Sequence, residues 1–435
     1  MYTVCEHYDI IFAAMKIDEM QRAVECGAIV RRLKSQICLV AVCAAGFAAA
    51  RPSFLVPERL YAAPGLECNI YYKDVFDSVV PQNYAFQTYA AKGRSELTRW
   101  CWTPEAKDAG SSVKVVVNAW NDDGLVASAT TTVEVAAAPA DPSRRVTLAL
   151  FGDSLANSRF QDRILADMRE AGHENYTPVG SRKGSHPGAA AHDGFGGYTC
   201  DSFLTRYAVA EDEVANVQDA AEREQLKALG TPAKIVHEWQ RGLLRSPLVA
   251  FKGGRKTLDV PAWLANVNGG AAPDIVLIEL GVNSVFSYRG EADELRARIR
   301  KDVIPGFSRL ISALRPHMPD SLFAVCTLPI GCNQDGFAAN YGASWNEVQH
   351  RKIMFALNRE IAEFVKGQDD RKLALVPVAN ALDPFYSYIH AGTPAHARTS
   401  EKAVRDRNAV HPSAAGGGQM GDAIAAWLRC RWNSL

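Results

Sequence analysis

Four residues of this chain are of types that together perform one kind of chemistry. Ser154 ends an apolar run in "LALFGDSLANSRF" (148–160), and Gly197 lies in the glycine-rich "AAHDGFGGYTCD" (190–201). Asn283 follows a third apolar run in "GVNS" (281–284), and His411 stands in "NAVHPSAAGGGQMGDAI" (408–424). A serine hydroxyl is a weak nucleophile until a base removes its proton. Histidine, with a pKa near about 6.5, suits that task around neutral pH. The oxyanion that follows needs preorganised donors: the serine's own N–H, a glycine N–H and an asparagine amide could supply three. Losing one such donor typically costs about 10²–10³ in rate. The shared chemistry is acyl transfer through a covalent serine intermediate.

Such residues must be carried to one place. The strand-like runs "VTLALF", "DIVLIEL", "LFAVCTL" and "LALVPV" alternate with helix-like stretches over about 158–171, 211–229, 291–314, 346–366 and 419–430. This alternation predicts an α/β domain over 146–435, a parallel sheet covered by helices on both faces, with an insertion at about 200–272. Sites in such sheets lie beyond the carboxyl ends of the strands. Ser154 and Asn283 come directly after two of the runs. Upstream, "ECNIYY", "YAFQTYA", "SVKVVVNAW" and "ASATTTVEVA" are rich in β-branched and aromatic residues and are separated by turn signals. They predict a small all-β sandwich over 54–137, joined to the α/β part by a small-residue, proline-containing linker at 138–145. Either it binds or positions something, or it is a spacer packed on its neighbour. No cluster of aromatic or charged residues in it marks a site, which favours the spacer.

Lys plus Arg and Asp plus Glu number 48 each in 435 residues, so charge points neither to nucleic acid nor to an anionic membrane. "VRRLKSQICLVAVCAAGFAAARPS" (30–53) has a basic start, an apolar middle and small residues at its end. That is the pattern of a secretory signal, too short for a span of about 20 residues. Residues 1–50 are read as a signal region whose start is set too far upstream, leaving an exported mature protein, periplasmic or extracellular, without a membrane span. Of ten cysteines, Cys5, Cys26, Cys38 and Cys43 fall in that region. Export permits disulfides, and Cys68–Cys101 and Cys326–Cys332 are candidate pairs by proximity of segments. No CxxC occurs and no histidine has a partner spacing that suggests a metal, so neither metal nor cofactor is expected.

The four segments resemble the sequence blocks of the SGNH (GDSL) hydrolase family. "FGDSL" matches the first block, "HDGFGGYT" the second, "GVNS" the third and "NAVHP" the last, in the family's order. Further stretches, such as "FAANYGASWNEVQHRK", resemble exported bacterial members that carry an N-terminal sandwich domain, and "RWCWTPEAKDAGSSVKVVV" (99–117) upstream resembles a stretch of bacterial immunoglobulin-like domains. The resemblance implies a flavodoxin-like three-layer α/β/α fold. It also implies Ser154 as nucleophile, His411 as base, and Gly197 and Asn283 as oxyanion donors, with Asp153 organising the loop. Two positions depart from it. Ser284 stands where an aspartate is usual, and Asn408 where the aspartate that orients the histidine belongs. Three readings of Asn408 remain open: a backbone carbonyl near 408 orients His411 in a Ser–His dyad, a nearby carboxylate such as Asp406 substitutes, or the site is weak or inactive. His192 and Asp193 either bind substrate near the mouth or hold the glycine-rich loop. Trp239 and Trp263 either line a sugar site or belong to the core.

What the resemblance implies is an esterase acting on a small-molecule or polysaccharide ester, most simply an O-acetyl group on carbohydrate, with lipid esters or thioesters as alternatives. The rival is a non-catalytic carbohydrate-binding or cell-envelope protein that keeps the fold with a disabled triad.

Overall fold

The computed structural model describes residues 52–157, 160–184, 186–229, 235, 237–342 and 345–435. The signal-like region, with its four cysteines, lies outside them. Seven strands come first: β1 (Arg59–Ala62), β2 (Cys68–Tyr71), β3 (Ala85–Ala90), β4 (Arg94–Ser95), β5 (Arg99–Trp102), β6 (Ser112–Asn121) and β7 (Gly124–Val135). They form a sheet in the order β1–β7–β6–β3 and a smaller one in the order β2–β5–β4. Side chains alternate across a strand. In β6, Val113, Val115, Val117 and Ala119 therefore turn inward while their neighbours face out. Ile70, Trp100 and Trp102 of the smaller sheet meet three of those valines in one apolar core.

The register of β2 on β5 sets Cys68 opposite Trp102 and Asn69 opposite Cys101. Cys68 and Cys101 thus point to opposite faces and cannot bond, which corrects the expected pairing. Cys326 and Cys332 are not paired either, and the Cys332 thiol donates to the Asn333 carbonyl (3.2 Å). All six described cysteines are free.

A third sheet holds β8 (Val146–Gly152), β9 (Tyr176–Val179), β10 (Arg182–Lys183), β11 (Ala191–Gly194), β14 (Ile275–Glu279), β15 (Leu322–Cys326) and β16 (Leu373–Val376). The intervening β12 (Val249–Lys252) and β13 (Arg255–Leu258) make a separate hairpin. The order is β10–β11–β8–β14–β15–β16, with β9 also on β8. β9 pairs with the first half of β8 and β11 with its end, so the two share one position. The arrangement is then the 2-1-3-4-5 order of a flavodoxin-like sheet. Except for β10 on β11, every pairing in it is parallel. All of β8 and β14 is buried, as expected of strands covered on both faces. Asp274 ties the two strands at their starts by accepting from the Thr147 N–H (2.7 Å) and hydroxyl (2.8 Å).

The helices differ from the periodicity in detail. The stretch 291–314 divides into Ala292–Asp302 and Ile304–Leu314, because Pro305 tolerates only a first turn. The last helix begins earlier than expected, at Ala414. The segment 200–272 is not wholly an insertion. Cys200 and Phe203, and later Val260, Trp263 and Leu264, pack into the main core, while Val209, Val214 and Leu226 between them form a small cluster of their own.

Two helices fix the site. Phe160–Glu170 follows β8 and returns the chain to the parallel β9, so it starts at the carboxyl edge of the sheet. Ala414–Arg431 lies alongside in the same direction. Arg163 Nε, in the first turn of the former, bonds Asp422 (2.6 Å) in the middle of the latter, and the His173 and Trp432 rings meet (4.2 Å) just beyond both carboxyl ends. A Cβ on Gly421 would stand 2.6 Å from Arg163 Cβ, so only glycine permits this contact. Both helices therefore begin at the edge where β8 and β14 end. Among the described residues, no helix is long and apolar enough to cross a membrane.

Candidate active site

Ser154 sits between the end of β8 and the helix Phe160–Glu170, half-buried. Its turn is pinned from several sides. Asp153, fully buried, accepts the Leu155 N–H on Oδ1 (2.9 Å) and the Asn283 side-chain amide on Oδ2 (2.8 Å). Gly152 accepts the Phe195 N–H (3.0 Å), which draws in the glycine-rich loop. A Cβ on Gly196 would come within 3.9 Å of Ser154 Cβ. Gly197 holds φ +75°, a conformation suited to glycine, with open space where a side chain would be. Serine, glycine loop and Asn283 are thus brought together.

Asn283 Nδ2 has two hydrogens and two acceptors. Besides Asp153 it donates to the Tyr198 carbonyl (3.2 Å). The Asp153 bond is the shorter, to a buried carboxyl. Tyr198 was not singled out from its sequence, and nothing in "GGYT" marks a carbonyl as an amide partner.

His411 lies in the loop before Ala414–Arg431, half-buried, at the same edge as Ser154. Asn408 Oδ1 accepts the N–H groups of His411 (2.8 Å) and Val410 (3.1 Å). Two backbone donors on one atom identify it as the oxygen. The same oxygen stands 3.2 Å from His411 Nδ1, so Nδ1 carries the proton and Nε2 is left bare. Burial pushes the His411 pKa below its usual value, which keeps the ring neutral near pH 7. Among the described residues, no hydrogen bond joins Ser154 to His411; such bonds are often longer before substrate arrives.

Other expectations are corrected. Asp406 does not orient the ring: it is buried against Cys332 and the Asn333 N–H, and burial raises its pKa. Asp193 is wholly buried and accepts from Ser181 (N–H, 3.1 Å, and hydroxyl) and Trp263 Nε1 (3.0 Å). It is a brace, not a contact at the mouth. His192 accepts the Gly194 N–H on Nδ1 (3.0 Å) and so holds the loop, with burial pushing its pKa down to about 4. Trp263 belongs to the core, and the Trp239 side chain lies outside what is described. Among the described residues no cluster of His, Cys, Asp or Glu could hold a metal. A cavity of about 990 Å³ opens elsewhere, near Asp274 and Leu322 where β14 and β15 begin, and none of the four residues lines it.

Residues 148–424 match the GDSL-like lipase/acylhydrolase family. The chain belongs to this family. The match spans Ser154, Gly197, Asn283 and His411. Several solved structures are similar at low identity. One is a carbohydrate esterase family 3 protein from Talaromyces cellulolyticus (15% identity, 67% of this chain and 99% of that one, TM-score 0.38). Another is a family two carbohydrate esterase from Clostridium thermocellum in complex with cellohexaose (13%, 88% and 98%, TM-score 0.34). A third is the inhibitor-bound aryl esterase of M. smegmatis (12%, 65% and 98%, TM-score 0.34). No curated protein matches.

Proposed function

We propose that this GDSL-family acylhydrolase is a serine esterase working through a Ser154–His411 dyad, with Asn408 orienting the base. The reading is carried by one observation: Asn408 Oδ1, fixed by two backbone N–H groups, faces His411 Nδ1 at 3.2 Å and leaves Nε2 free. His411 Nε2 takes the Ser154 proton as Oγ attacks the ester carbonyl. The N–H groups of Ser154 and Gly197 and the Asn283 amide receive the oxyanion, the amide releasing the Tyr198 carbonyl to do so. The tetrahedral intermediate collapses, His411 returns its proton to the alcohol, and the alcohol leaves an acyl-Ser154. Water, deprotonated by His411, then attacks that ester and frees the acid and the serine. Asn408 aligns the imidazole but cannot offset its charge.

The substrate we propose is an O-acyl ester of a carbohydrate, most simply acetyl, met outside the cytoplasm. It rests on the family likeness, the balanced charge and the signal-like stretch at 30–53. Asn408 in place of a carboxylate favours a second reading, a protein that binds carbohydrate without cleaving it. Turnover of p-nitrophenyl acetate decides between them. The esterase turns over, loses that activity as Ser154→Ala, and is labelled by a fluorophosphonate at Ser154. If wild type and Ser154→Ala are equally inert and Ser154 stays unlabelled, the binding protein is the correct reading.

A further inference from the structure

A second acid lies beneath the nucleophile turn. Glu279 ends β14, paired directly with Gly152 of β8. It is fully buried, and among the described residues neither carboxyl oxygen has a hydrogen-bond partner. A Cβ on Gly152 would stand 3.3 Å from Glu279 Oε2 and 2.5 Å from Ala156 Cβ, so the turn passes over the acid only because residue 152 is glycine. The next residue is Asp153, also fully buried. The Asp153 N–H faces Glu279 without making a hydrogen bond of normal geometry.

Among the described residues, these two acids have no cation between them. The titratable groups facing them are each other, Cys326 on β15, and Cys200 at the start of the helix Cys200–Thr205. Two buried carboxylates without a counter-charge cannot both ionise. Burial raises the pKa of both, that of Asp153 to about 7, and the charge of Asp153 raises that of Glu279 further. Hydrogen bonding decides which keeps the charge. Asp153 has two donors, Leu155 N–H and Asn283 Nδ2, which favour a carboxylate; Glu279 has none.

We infer that Glu279 is a protonated, neutral acid and a positioning residue: by holding the single proton of the pair, it leaves Asp153 as the charged acceptor that keeps the amide end of Asn283 turned toward the oxyanion hole. An asparagine side chain can sit either way round. A neutral Asp153 could donate to Asn283 Oδ1 and let the oxygen face the hole, where it would repel an oxyanion. A charged Asp153 accepts only, and so selects Nδ2.

The inference rests on the proposed esterase reading for its catalytic half alone. Carbon-13 carboxyl labelling of the wild-type chain, with the signal assigned by Glu279→Gln, reads the proton directly. The expected signal at pH 7 is that of a carboxylic acid, and a carboxylate signal overturns the inference. Stability against pH is a second readout. A carboxyl whose pKa is raised on folding loses stability as pH rises from the unfolded value through the folded one. Thermal unfolding of Glu279→Gln must therefore fall less steeply from pH 5 to 9 than that of wild type; an unchanged slope refutes the buried proton. For the positioning role, Gln, which mimics the neutral acid, must exceed Ala at 279 in kcat by about tenfold or more with KM little moved, as expected of lost alignment. Equal kcat values in two folded variants refute that role. Should wild type hydrolyse no ester and leave Ser154 unlabelled, the esterase reading fails, while the labelling and stability results still judge the pair.

Discussion

Replacing Asn408 by aspartate tests the dyad most sharply. In serine proteases the reverse change, Asp→Asn, costs about 10⁴ in kcat, chiefly because the asparagine favours the wrong tautomer. That part of the loss does not apply here. Asn408 Oδ1 already accepts from two backbone N–H groups and faces Nδ1, so the tautomer is correct. Only the charge is missing. A hydrogen bond between neutral groups is worth about 0.5–1.5 kcal/mol and one to a charged group about 1.5–3. An aspartate at 408 keeps both backbone bonds and gains the difference, roughly 1–1.5 kcal/mol, when His411 becomes imidazolium. Asn408→Asp should raise kcat on p-nitrophenyl acetate by about 5–10-fold. It should raise the His411 pKa, followed by imidazole NMR, by about one unit. An increase of about 10³ or more would mean that Asn408 holds the wrong tautomer, against the geometry. No change in either quantity would mean that Asn408 does not act on the base.

Asn283→Ala should lower kcat by about 10²–10³ with KM little affected, since the substrate carries charge for the amide to meet only in the transition state; steady-state kinetics check this. Gly152→Ala drives a methyl into Ala156 and toward Glu279, and should cost about 1–3 kcal/mol in denaturant unfolding. Arg351 is buried and donates to the carbonyls of Lys73, Phe76 and Ser78, clamping the strand-rich part to the helix Glu347–Gly367. Arg351→Ala leaves those acceptors unmet and should cost at least about 3 kcal/mol by the same measurement. Beside it, burial pushes the Asp74 carboxyl up to about 8, and among the described residues neither of its oxygens has a hydrogen-bond partner. The unfolded chain releases that proton near pH 4 and the folded one near 8, so stability falls as pH rises across this window. Asp74→Asn should flatten that part of a Tm–pH curve.

The α/β architecture was legible because its strands are buried on both faces. "VTLALF" and "DIVLIEL" have no polar alternation to confuse with anything else, and β8 and β14 lie where they fall. Helix ends were less legible. Pro305 breaks a continuous amphipathic pattern at a point the periodicity alone does not show. Asp406 and Asn408 illustrate a different limit. Two residues apart in one loop, both offer an acceptor, and charge alone favours the aspartate. The fold reverses that preference because the backbone at 410 and 411 turns its N–H groups onto Asn408, while Asp406 pairs with His390 at the end of the hairpin β17 (His390–Pro394)–β18 (Lys402–Asp406) and is buried against Cys332. Local spacing cannot report which way a loop's amides point.

Glu279 is the opposite case, since its signal was in plain view. A single acid at the end of "DIVLIEL" has to be exposed, paired or protonated. The sequence excludes none of these, and only the pairing of Glu279 with Gly152 and the absence of any donor to its carboxyl among the described residues remove the first two. What is left is a proton in a place where a charge would be costly, one residue from the turn that carries Ser154. That neighbour, Asp153, then carries the local charge, and its bond to Asn283 becomes a consequence of where the proton sits.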